Sequence, residues 1–149
     1  MLVDHLDTKC NGLWQLKSVE AASAGGYKQI VKLLLDKGAN VNVQGCHSGS
    51  ALQISSERGH EQIVKLLLEK DADINAGSAL QAASAEGHEQ IVRLLLEKGA
   101  NINAQGVYYG NALQAASAGG HVQVVKLLLS KGAGPDINAL QAASDSGQE

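Results

Sequence analysis

The sequence predicts an all-α solenoid of stacked helix pairs. Three observations carry this. A twelve-residue block recurs: Gly59–Lys70 reads GHEQIVKLLLEK, and Gly87–Lys98 reads GHEQIVRLLLEK. Gly26–Lys37 (GYKQIVKLLLDK) and Gly120–Lys131 (GHVQVVKLLLSK) keep the pattern. A second block precedes each: Ser50-Ala-Leu-Gln53, Ser78-Ala-Leu-Gln81, Asn111-Ala-Leu-Gln114 and, near the end, Asn138-Ala-Leu-Gln141. A degenerate copy, Ser18-Val-Glu-Ala21, precedes the first. Aligned on the Leu (Val19 in the first copy), the steps are 33, 28, 33 and 27 residues, a period of 33 with two shortened units. One helix pair cannot bury both of its apolar faces, whereas stacked neighbours can, which is why such a chain repeats.

Within a unit, the first helix opens at a Ser or Asn whose side-chain oxygen accepts from a free backbone N–H. The Gln three residues on is placed to reach back to the cap's own N–H, so a capping box is expected at each copy. This helix is short and Ala-rich, which lets a neighbouring backbone approach, and it ends at Gly59, Gly87 or Gly120. The second helix carries Ile63, Val64, Leu66, Leu67 and Leu68 as a wide apolar stripe. Glu61–Lys65–Glu69 and Glu89–Arg93–Glu97 fall on its outer face at i,i+4 spacing. It stops at Gly38, Gly99 or Gly132, residues that enter the left-handed region cheaply. Asp71 takes that position in the second unit, at an expected cost of at most about 1–2 kcal/mol.

A 33-residue unit of turn, helix, GH turn, helix with LLL, then GA-N-x-N resembles an ankyrin repeat, over about residues 18–149. The family's usual Thr-Pro-Leu-His opening is here Ser/Asn-Ala-Leu-Gln. In the family that His links adjacent repeats by hydrogen bonds. Whether Gln53, Gln81, Gln114 and Gln141 also bridge repeats stays open at this point. The NALQAAS wording is similar to long ankyrin arrays in large filamentous-fungal proteins, including receptor-like ones with nucleotide-binding modules. A consensus-designed array would show equally close copies. The resemblance implies a curved stack with projecting fingers. Two fingers are full length (Val43–Gly49 and Ala104–Gly110), and two are cut back, after Asn75 and at Gly134-Pro135-Asp136-Ile137.

The organisation expected is one domain over 1–149. Residues 1–17 are a cap or remnant in which Leu2, Val3 and Leu6 are apolar. Repeats follow at about 18–49, 50–77, 78–110 and 111–137, with a partial repeat at 138–149. The last outer helix, with Val124, Val125, Leu127 and Leu128, has half a neighbour, which suggests a longer array or self-association through that end. Trp14 reads as core or end-cap.

Composition narrows function. Net charge is −3, so the basic surplus of a nucleic-acid binder is missing. No apolar run is long enough to span a membrane, and Asp4, His5 and Asp7 interrupt any leader-like stretch. Two cysteines, Cys10 and Cys46, make no disulfide framework and fit a reducing, intracellular, cytoplasmic setting. With aromatics at 3% and no Phe, the core must be Leu, Ile, Val and Ala.

Catalytic chemistry finds no constellation. His60, His88 and His121 recur once per repeat, about 10 Å apart in a stack, far beyond shared coordination of a metal. Gly45-Cys-His-Ser-Gly49 has Ser off-centre for a nucleophile elbow, and no phosphate loop occurs. A hydrolase built on Cys46-His47 is the weakest alternative. No enzyme activity, cofactor or metal is expected. Recognition is expected at exposed positions that vary while the scaffold repeats. These are Tyr108 and Tyr109 in one full finger, Cys46 and His47 in the other, and Glu57, Arg58 and Glu86 at the concave ends of the first helices. The resulting reading is a noncatalytic module binding a protein partner through fingers and concave face. The alternative is a structural spacer of a larger protein, or a designed array without a natural target.

Overall fold

In a computed structural model, the structure describes residues 14–42, 44–45, 49–75, 78–106 and 108–134. Eight helices alternate among them as inner and outer members of four pairs: α1 (Trp14–Gly25) with α2 (Lys28–Asp36), α3 (Ala51–Arg58) with α4 (Glu61–Glu69), α5 (Ala79–Ala85) with α6 (Glu89–Glu97), and α7 (Ala112–Gly119) with α8 (Val122–Ser130). Inner helices pack in the order α1, α3, α5, α7, and outer helices in the order α2, α4, α6, α8. This is the expected solenoid. Among the described residues, strand structure is confined to the finger bases: β1 (Gln44–Gly45) pairs antiparallel with β2 (Gly49–Ser50), and Gly106 bridges Gly110 in the other full finger.

One continuous core runs along the stack. Ile63, Val64, Leu67, Ile91, Val92, Leu95, Val124 and Leu128 supply its outer-helix half, and Leu52, Leu80, Ala83, Leu113 and Ala116 its inner half. Val124, Leu127 and Leu128 are buried, and Val125 is partly buried, so the last outer helix already seats its stripe; Leu129 is the leucine it leaves exposed. The helix stops are as read: Gly38, Gly99 and Gly132 have φ of 98°, 96° and 98°, and Asp71 holds φ 66° in the same place. On the outer face Lys65 pairs with Glu61 and Arg93 with Glu89.

Two expectations are corrected. The first inner helix starts at Trp14 rather than at Ser18, since no Gly, Pro or Asn interrupts Trp14-Gln-Leu-Lys17. The backbone therefore runs helical through the expected 17/18 boundary. The full capping box forms only at Asn111–Gln114 among the described caps. Ser50 accepts from the Gln53 N–H, but the reciprocal bond is not made: the Gln53 Oε1 accepts from the backbone N–H of Ser78 in the next unit instead. Ser78 has φ −127° and ψ 44°, outside the extended region of Ser50 and Asn111, and makes no side-chain cap. Gln81 Nε2 instead donates to the carbonyl of Ala104, at the base of the following finger. One residue type thus does three jobs, and Gln53 is the one that bridges inner-helix starts. Asn138 and Gln141 lie outside the described residues.

The N-x-N ending also divides its labour. Its first residue makes a local turn: Asn40, Asp73 and Asn101 each accept from the backbone N–H two residues on. Its second residue reaches the next unit. Asn42 Oδ1 accepts from Asp73 N–H, Asn75 Oδ1 from Asn101 N–H, and Asn103 Oδ1 from Gly134 N–H. Each loop is thereby tied to its successor without a side chain entering the core.

Candidate functional site

The three GH histidines bind units together. Nε2 of His60, His88 and His121 lies 3.1, 2.9 and 2.7 Å from the carbonyl oxygen of Ala24, Glu57 and Ala85 respectively. A carbonyl only accepts, so in each ring Nε2 carries the proton and donates. Each ring also lies over the glycine of the preceding unit. A Cβ on Gly87 would stand 2.5 Å from His121 Nδ1, and one on Gly59 2.8 Å from the His88 ring. That glycine is therefore required twice, for its positive φ and for the space the ring needs. These histidines are spent on backbone carbonyls one unit back. Among the described residues no group of three His, Cys, Asp or Glu converges as a metal site.

At the same level, the C-terminal ends of α1, α3 and α5 border an open depression of about 670 Å³. Glu57, Arg58, Glu86, His60 and His88 line it, together with Ala24 and Gly25. Sequence reasoning placed Glu57, Arg58 and Glu86 on one surface, and the structure brings them together there. It did not include the histidines, although their recurrence beside the same glycine was the available signal.

Tyr109 joins this group from far along the chain. Its hydroxyl donates to Glu57 Oε2 at 3.1 Å, across 52 residues. The finger that carries it leads into α7, while Glu57 lies in the last turn of α3, and α5 lies between those helices. The contact therefore spans a whole unit. Partial burial raises the Tyr109 pKa above its usual value. The Glu57 carboxylate beside it, which also holds the phenolic proton, and the Glu86 carboxylate push it further up.

Tyr108 behaves oppositely. It is 88% exposed on the same finger. The adjacent tyrosines, read as one pair, are split into an anchor and a free ring. Cys46 and His47 lie outside the described residues, as does the side chain of Trp14.

A profile of ankyrin repeats in three copies matches residues 18–106, and a single ankyrin repeat matches residues 111–142. No match is found among curated proteins. Repeat-to-repeat histidine bonds, left-handed helix stops and two matching stretches that together take in four copies make one statement: the chain belongs to the ankyrin repeat family.

Proposed function

We propose that this chain is a noncatalytic recognition module whose contact surface is the 104–110 finger together with the depression at Glu57, Arg58 and Glu86. Ankyrin repeats are in general protein–protein interaction modules, and the family is typically noncatalytic. Among the described residues no helix is long and apolar enough to cross a membrane. The observation that carries the reading is the unequal pair of tyrosines. Tyr109 fastens the finger to Glu57, and Tyr108 is thereby held out in solvent on an ordered support. A large ring presented without a further ordering cost is the kind of residue that dominates an interface. In the depression Glu57 and Glu86 outnumber Arg58, so the complementary partner surface is cationic.

The test is affinity capture from the source extract with three forms of the full chain. Wild type captures a partner, and Tyr108→Ser loses it with an unchanged melting temperature. Glu86→Gln weakens capture and flattens its salt dependence. Equal capture by wild type and Tyr108→Ser removes the finger from the surface. A spacer within a larger protein is the second reading, favoured by Ala118 and Gly119, which leave the end of α7 without a reaching side chain. It expects nothing above background in every arm.

A further inference from the structure

The first outer helix is exposed where its counterparts are buried. At the N-cap of α2, Tyr27 is 60% exposed, and on the helix Ile30 and Leu33 are 50% and 57% exposed. The positions matching Ile30 are Ile63, Ile91 and Val124, at 1%, 2% and 1%, and two matching Leu33 are Leu66 and Leu127, at 5% and 6%. The side chains are nearly the same, so the neighbour makes the difference. In the later units this face meets the preceding outer helix, α2 on α4, α4 on α6 and α6 on α8. The uncovered strip on α2 continues that interface and is a docking face for one more outer helix.

The sequence holds a segment in register to fill it. Leu2, Val3 and Leu6 stand 17, 16 and 13 residues before Val19, and Ile63, Val64 and Leu67 stand 17, 16 and 13 residues before Leu80. Those three α4 residues are fully buried, so residues 1–9 repeat the core positions of an outer helix at the spacing of a unit with a shortened finger. Charge agrees. Asp4 and Asp7 outnumber Lys9 in the segment, and α2 and its cap offer Lys28, Lys32 and Lys37 against Asp36, which pairs with Lys70; Lys28 replaces the Glu61 and Glu89 of later units.

We propose that residues 1–9 supply the missing outer helix, a half-unit seated on Tyr27, Ile30 and Leu33 that caps the stack at this end. The test is hydrogen exchange followed by mass spectrometry on the full chain, as wild type, Leu6→Met and Leu6→Asp. Wild type and Leu6→Met protect amides 3–9. Leu6→Asp loses that protection and speeds exchange across residues 28–36 by at least tenfold, while residues 61–97 exchange as before, which separates undocking from global unfolding. Unprotected amides 3–9 in wild type overturn the proposal, as does a Leu6→Asp chain that exchanges like wild type over 28–36. A wild-type chain that sediments as a dimer, and becomes monomeric on Leu33→Lys, also overturns it, since a second copy then covers the face.

Discussion

At the scale of single residues, Tyr109 shows how position changes the meaning of a side chain. Its phenol is kept neutral by partial burial and by two carboxylates, one of which accepts its proton in a hydrogen bond. A group whose folded-state pKa is raised favours the fold while both states hold the proton. That contribution is whole below the ordinary value of 10.0 and is lost as pH rises through the folded-state pKa. The unfolding midpoint of wild type should therefore fall more steeply above pH 10 than that of Tyr109→Phe, which has no proton to lose there. Equal slopes in a pH series of thermal melts would show that the Glu57 contact does not favour the folded state. Little of this was legible beforehand. Tyr109 and Glu57 stand 52 residues apart and meet because α5 lies between their helices, a three-unit relation that no local pattern encodes. The left-handed stops at Gly38, Gly99 and Asp71 were legible, because a helix end is written within a few residues of itself.

At the scale of elements, the inner helices carry a recurrent imperfection. Ser23, Ser56 and Ser84 occupy the same place in successive units, are fully buried, and have hydroxyls without a hydrogen-bond partner. The neighbouring Ser55 shows the usual remedy, donating to the carbonyl of Ala51 one turn back. An unpaired buried hydroxyl costs roughly 1–3 kcal/mol, and Ala is also the better helix former. Ser84→Ala should therefore stabilise the chain by about 1 kcal/mol in urea unfolding, with the slope unchanged. A destabilised variant would mean that the hydroxyl has a partner in solution. The capping boxes teach a related lesson about legibility. The three Ala-Leu-Gln openings within the described residues look interchangeable, yet only Asn111 closes a full box. Gln53 and Gln81 are drawn to backbone groups of other segments, and a backbone group has no signature in the sequence.

At the scale of the whole molecule, stability in a linear stack is the sum of unit and junction terms, so one weak junction divides the array. Among the described junctions, the one between the second and third units has the shortest connecting finger, with two residues between Asn75 and Ser78. It is held by the His88 bond to the Glu57 carbonyl, the Gln53 bond to Ser78, the Asn75 bond to Asn101, and contacts of α3 with α5 and α4 with α6. Tyr109 adds a strap over it, since its bond to Glu57 joins the finger after the third unit to the inner helix of the second. His88→Ala removes the donor to a carbonyl at a tightly packed turn and should cost about 1–3 kcal/mol. The loss falls on a junction rather than inside a unit, so cooperativity should suffer along with stability. Hydrogen exchange in rising urea should show residues 18–58 and 89–130 of wild type opening together, and those of His88→Ala opening at separate concentrations. Adding Tyr109→Phe should widen that separation by more than Tyr109→Phe alone produces, because the strap and the histidine act on the same junction. If both halves of His88→Ala still open together, helix packing alone carries the coupling, and the histidine ladder aligns units without joining them.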